Sequence, residues 1–280
     1  MSSVTSLLRD RTSPLSEWMA TDFSDTIGLR ETARDLCGPI LVPPTGDVDR
    51  PALGAAFDML ATITLRPEES LALLDIEVDR AWTPAHARLA GTISDAVRQV
   101  LDDGGEGAAL YKLTWVMGLL VNSMRSVDAY MRSGITRVVR SASSSRELYA
   151  GLDELITADG LAQLQELHEI AQDELYPRLR GAIHVHADIS NRGVQAEADV
   201  IAGGLLLDLK TSAGVQDSSG DYRLLPSARD IHQMIAYSYF ATEPQHESRY
   251  GPITAVGFYF ARYGALVAWP AEFFMTAAMP

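Results

Sequence analysis

Apolar positions recur at helical spacing through the first part of the chain and at strand spacing through the last hundred residues. Ser13-Pro14 predicts a helix start, with Ser as N-cap and Pro in the first turn. Residues 1–12 read as frayed, and 38–51, rich in Gly and Pro, read as a loop. A helix is predicted from Pro51 to about Leu65, with further helices within 67–102 and 107–133, punctuated by Gly104-Gly105 and Gly134. Residues 146–176 form another helical stretch, broken near Gly160 and closed by Pro177.

The period then changes. Gly181–Ile189, Val194–Ala202 and Leu205–Lys210 alternate or run apolar like strands, and 211–226 is a Ser/Gly/Asp-rich loop. Ser227-x-x-Asp230 is capping-box-like, so a helix is predicted from Ala228 to about Ala241. Ile253–Phe260 and Ala265–Trp269 read as strands, followed by a short terminal helix. The expected class is α+β, with a helical first half followed by a βββαββ succession.

Gly203-Gly204 between two apolar runs is a hairpin signal, because tight primed turns need positive φ. With these two glycines as the loop, facing residues have numbers summing to 407. Asp199 then faces Asp208 and Glu197 faces Lys210, all four on one face of the sheet. Two carboxylates about 5 Å apart repel by roughly 3 kcal/mol at an effective dielectric near 20. Favourable cross-strand pairs return only about 0.2–1 kcal/mol. A divalent cation between the carboxylates removes the conflict, and Mg²⁺ takes such oxygen ligands.

Composition sharpens the lysine. The chain has 21 Arg and only two Lys, Lys112 and Lys210, so a merely cationic surface position would be Arg. An ammonium is a compact charge whose pKa shifts readily. The single cysteine, Cys37, excludes a disulfide framework and a four-cysteine metal or iron–sulfur site within the chain. Net charge is −14, against a surface that coats nucleic acid at large. Residues 1–174 hold 15 basic and 27 acidic side chains and residues 175–280 hold 8 and 10, so the acidity lies away from the hairpin. The start, Met-Ser-Ser-Val-Thr, has no signal-peptide pattern, and the most apolar stretch, Trp115–Val121, is too short to span a bilayer. A cytoplasmic protein with no membrane association is the expectation.

The block Asp199-x8-Asp208-x-Lys210 resembles the core motif of PD-(D/E)XK nucleases, and Gln233-Met-Ile-Ala-Tyr237 resembles the Gln-x-x-x-Tyr motif of their RecB-like branch. Ser13-Pro14-Leu15-Ser16-Glu17-Trp18 is similar to that branch's opening Ser-rich helix start, and Gly54-x3-Asp58 to its Gly-x-x-x-His motif, with Asp for His. The resemblance covers about residues 13–270 and lacks the iron–sulfur cysteines and any helicase motif. It implies one nuclease-like domain over 1–280, with N-terminal core helices at 13–65, a helical insertion at 66–176 and a β-rich, restriction-endonuclease-like catalytic core at 177–280. It implies Mg²⁺- or Mn²⁺-dependent hydrolysis of DNA phosphodiesters, as in exonucleases of repair, recombination or phage defence. Asp58, Asp199, Asp208 and the Leu209 carbonyl would hold the metal, and Lys210 would orient or deprotonate water. Gln233, Tyr237 and Arg229 would position the DNA strand or brace Lys210. DNA is the implied partner, with a helicase or other repair or defence subunit as a protein partner.

Other readings stand beside it. The chain can be a catalytically inactive nuclease-fold subunit that binds DNA or scaffolds, or a sugar- or nucleotide-binding protein. Asp199 and Asp208 can be solvated hairpin carboxylates, and Glu197 a salt-bridge partner of Lys210. His168, beside Glu169, is an alternative upstream ligand or an ordinary surface residue. His184 and His186 share a strand face, read as solvated rather than metal-binding.

Overall fold

The computed structural model describes residues 2–24, 26–81, 84–104, 107–124, 131 and 133–275. The chain packs as two compact units, 1–43 with 172–280, and 44–171. The boundary thus falls ahead of the helix that begins at Arg50, inside the 13–65 stretch expected as N-terminal core helices.

The N-terminal residues are ordered into structure rather than frayed. Ser2–Ser3 pair in parallel with Val194–Gln195, and helix α1 follows at Val4–Arg9. Val4 and Leu8 lie one turn apart and are both buried, and the Ser3 hydroxyl caps the helix by accepting the Ser6 N–H. Helix α2, Pro14–Asp22, starts as predicted, with the Ser13 side chain accepting from the Ser16 N–H. Helix α3, Ile27–Cys37, stops at Gly38, whose φ is +65°.

The second unit is helical: α4 (Arg50–Leu65), α5 (Pro67–Ala81), α6 (Pro84–Asp102), α7 (Ala108–Met124), α8 (Gly134–Ser141), α9 (Ser145–Asp153) and the greater part of α10 (Ala158–Glu174). Parts of the predicted helices, residues 82–83, 125–130 and 132, lie outside the described residues, as does Gly105 of the predicted punctuation. Asp49 caps α4, which buries Leu53, Phe57, Leu60 and Ile63. At Gly118 of α7 a Cβ would lie 2.7 Å from the backbone of Ala55 and Ala56, so the glycine is what lets α7 lie directly on α4. The break expected near Gly160 comes earlier, at 154–157. There the Thr157 hydroxyl caps α10 through the Gly160 N–H, and Gly160 instead makes room for the Trp115 ring. No helix among the described residues is long and apolar enough to cross a membrane.

The first unit is completed by a mixed five-stranded sheet: β1 (Ile183–Asp188), β2 (Glu197–Ala202), β3 (Leu205–Lys210), β4 (Ala255–Phe260) and β5 (Ala265–Pro270), neighbours in that order. All pairs are antiparallel except β3 with β4. A parallel pair needs a long crossover. Here it contains α11 (Ala228–Ala241), which the capping box predicts, and a further helix α12 (Pro244–Tyr250), bounded by Pro244 and Gly251. The 211–226 loop holds a small antiparallel pair, Val215–Gln216 with Tyr222–Arg223. A short helix, α13 (Glu272–Met275), follows β5.

One apolar cluster joins the sheet to α11 and the N-terminal helices. It includes Ile201, Leu206, Val256 and Phe258 from strands and Ile231, Met234 and Ile235 from α11. Val4, Leu8 and Met19 close it from the N-terminal side. Trp18 of α2 packs edge-on against Tyr239 of α11, with ring centroids 5.2 Å apart. The fold is therefore α+β, with α11 laid against the strands that carry the acidic hairpin.

Candidate functional site

The hairpin turns as the sequence dictates. Gly203 and Gly204 have φ of +53° and +87°, the sign pair of a type I′ turn. The register is Ala202↔Leu205, Ile201↔Leu206 and Val200↔Leu207, each summing to 407. There it stops, one step short of the expected Asp199–Asp208 pair. On the other side the β1–β2 register skips from Val185↔Val200 to Ala187↔Ala198, passing over His186 and Asp199. His186 at that gap has φ +48°. The ladder is thus interrupted on both sides of Asp199. Its carboxylate takes up one of the freed groups, with Oδ2 accepting the Leu209 backbone N–H at 2.7 Å. Asp199 is held between β2 and β3 by a charge-assisted hydrogen bond.

Asp208 and Lys210, two apart on β3, share a face. The Lys210 ammonium lies 2.7 Å from Asp208 Oδ2, and Gln233 Nε2 donates to Asp208 Oδ1 at 3.0 Å. Both carboxylate oxygens of this buried residue are therefore engaged. Gln233 thus braces Asp208, the carboxylate that also pairs with Lys210. The second brace of Lys210 is Asp230, whose Oδ1 is 3.4 Å from Nζ. Asp230 Oδ2 meanwhile accepts from the Ser227 N–H and hydroxyl at 2.9 and 2.7 Å, completing the capping box of α11. Asp230, Gln233 and Tyr237 lie three and seven residues apart, on one stripe of the helix. That spacing could have singled out Asp230 from sequence, but its capping role already accounted for an acid there.

Electrostatics follow from this packing. Burial works against the Lys210 ammonium, yet the Asp208, Asp230 and Asp199 carboxylates outweigh it and raise its pKa above the ordinary lysine value. Lys210 is firmly protonated at neutral pH. Burial, then the Asp208 and Asp199 carboxylates, push the Tyr237 phenol up as well, so it keeps its proton and remains a hydrogen-bond donor. These interactions place Asp199, Asp208, Lys210 and Tyr237 in one electrostatic neighbourhood.

Other candidates fall elsewhere. Glu197 pairs with His186, Oε1 to Nδ1 at 3.0 Å, instead of with Lys210. The reason is the early end of the β2–β3 ladder, which leaves Glu197 in register with Asp188 of β1. The His186 side chain is only 3% exposed, so the face read as solvated is packed. His184 lies edge-on to Tyr250 at 5.2 Å. Arg229 is exposed. His168 is buried in the helical unit, with Nε2 3.1 Å from the Thr64 hydroxyl and Nδ1 3.4 Å from the Tyr111 hydroxyl. It is a hydrogen-bonded core histidine rather than a surface one. Asp58 is half-buried on α4, in the helical unit.

Asp199 and Asp208, on the neighbouring strands β2 and β3, carry the hard oxygen donors that Mg²⁺ or Mn²⁺ takes. Among the described residues no three side chains of His, Cys, Asp or Glu converge as a ligand cluster. Comparison with protein-family models, curated proteins and solved structures finds no match for the chain.

Proposed function

We propose that this chain is a Mg²⁺- or Mn²⁺-dependent DNA nuclease of the PD-(D/E)XK type, close to the RecB-like branch and built on a restriction-endonuclease-like core. The observation that carries the reading is the 3.0 Å hydrogen bond from Gln233 to Asp208. Two motif fragments 25 residues apart, recognised separately, meet on one carboxylate. The order of three strands, a helical crossover and two strands suits the same core.

Asp199 and Asp208 would hold the cation. In an extended strand a residue's N–H and C=O point to the same edge, so the Leu209 carbonyl faces the Asp199 side and suits a third donor. The motif implies Asp58 as a further ligand, which Asp58→Asn tests through metal affinity. A divalent cation at this position supplies Lewis-acid polarisation of the phosphodiester. Gln233 keeps Asp208 oriented. Lys210, beside Asp208, would orient or deprotonate the attacking water and stabilise charge on the phosphate. The Tyr237 hydroxyl would be a neutral donor available to the same centre.

A second reading, a nuclease-fold subunit that binds DNA without cutting it, is favoured by one observation. Both Asp208 oxygens are already engaged by Gln233 and Lys210. Incubation of the purified chain with linear, circular and single-stranded DNA and Mg²⁺ or Mn²⁺ separates the two. Cleavage that EDTA abolishes supports the nuclease, and DNA binding without cleavage on every form supports the subunit.

A further inference from the structure

We propose that Asp230 is a positioning residue that receives the Lys210 ammonium when a divalent cation takes Asp208; the inference rests on the nuclease reading. The ammonium now lies between two carboxylates, 2.7 Å from Asp208 and 3.4 Å from Asp230. Neither acid is free to follow it. Asp208 is tied to Gln233 on α11, and the outer oxygen of Asp230 is tied to the Ser227 N–H and hydroxyl. The lysine is the mobile member, because its head rides on four rotatable methylenes and its side chain is 23% exposed.

A cation on Asp208 repels an ammonium 2.7 Å from the same carboxylate. An anion fixed by the helix cap gives the displaced head a partner a short movement away. Asp230 therefore lowers the cost of loading the metal and keeps Lys210 beside the reacting phosphate instead of in solvent. In the metal-free protein Lys210 neutralises the acidic hairpin, which offsets the carboxylate repulsion that the sequence builds in.

The test is a double-mutant cycle read by calorimetric titration of Mn²⁺ into the full chain: wild type, Asp230→Asn, Lys210→Met and the double variant. Asn at 230 can still accept from Ser227, so the cap is retained. Asp230→Asn should weaken Mn²⁺ binding about 10-fold or more with Lys210 present. In the Lys210→Met background the same change should cost less than about 2-fold. Equal losses in both backgrounds would make Asp230 a plain distant charge and overturn the proposal, as would no loss with Lys210 present. Should Asp230→Asn fail to fold, Ser227→Ala is titrated instead, since it loosens Asp230 while keeping its charge. Weaker binding there supports the proposal and unchanged binding overturns it. A wild type that binds neither Mn²⁺ nor Mg²⁺ ends the nuclease reading and this inference together, whereas wild-type binding without coupling ends the inference alone.

Discussion

Asp199 of β2 accepts the Leu209 backbone N–H of β3 at 2.7 Å, where a ladder bond would otherwise lie. This carboxylate thus has a structural task in addition to the proposed metal-binding one, and two substitutions separate them. Asp199→Ala leaves the Leu209 N–H without that acceptor and should cost about 1–3 kcal/mol in chemical denaturation. Asp199→Asn keeps an acceptor oxygen and should recover most of that stability, yet show none of the Mg²⁺-dependent rise in melting temperature expected of the wild type under the proposed function. Equal stability of the two variants would contradict the structural role.

The hairpin depends on glycine at its first loop position. Gly203 has φ +53°, and a Cβ there would lie 2.4 Å from the Arg180 carbonyl oxygen. Gly203→Ala should therefore destabilise by more than about 1 kcal/mol, through strain and close contact together. A denaturation midpoint unchanged from wild type would contradict the turn described.

His186 combines a positive φ with burial and a 3.0 Å contact to Glu197. Asn tolerates positive φ far better than a β-branched residue does. Stability should fall in the order wild type, His186→Asn, His186→Val, with Val losing roughly 2 kcal/mol or more. Val as stable as Asn would show that the backbone at this gap in the ladder is not strained.

The Lys210–Asp230 contact should leave its mark on pH dependence. Burial acts against the Asp230 carboxylate, but Lys210 and the Ser227 donors outweigh it and hold its pKa below the ordinary value. Its stabilising contribution is therefore complete above the unfolded value of about 4 and is lost as pH falls through the folded one. Lys210 is shifted upward, so its contribution is complete below about pH 10.4 and is lost as pH rises through its folded value. Asp230→Asn should flatten the acid limb of a stability–pH curve below about pH 4. An acid limb of unchanged slope would contradict the contact.

What could be read from the chain differs by element for physical reasons. The Gly203-Gly204 turn sets a register, and the three pairs nearest the turn keep it. Farther from the turn the positive φ of His186 and the side chain of Asp199 break the ladders, so extrapolating the register to Glu197 and Lys210 fails. Nothing in the residue type announces a histidine that will sit at positive φ. The Ser227–Asp230 box is visible because it is local, but its second use, on Lys210, needs the tertiary packing of α11 on the sheet. Helix α1 is too short to show periodicity, and its two buried residues gain meaning only against the core.

The most direct measurement is single-turnover cleavage of DNA by wild type and Lys210→Ala at saturating Mg²⁺. A positioned acid–base or orienting group contributes typically about 10²–10⁴-fold. The variant should cut slower by that order while binding DNA nearly as well, since one lysine is a small part of a phosphate-tracking surface. Equal rates in the two proteins, or no metal-dependent cleavage by the wild type on any DNA form, would contradict the account.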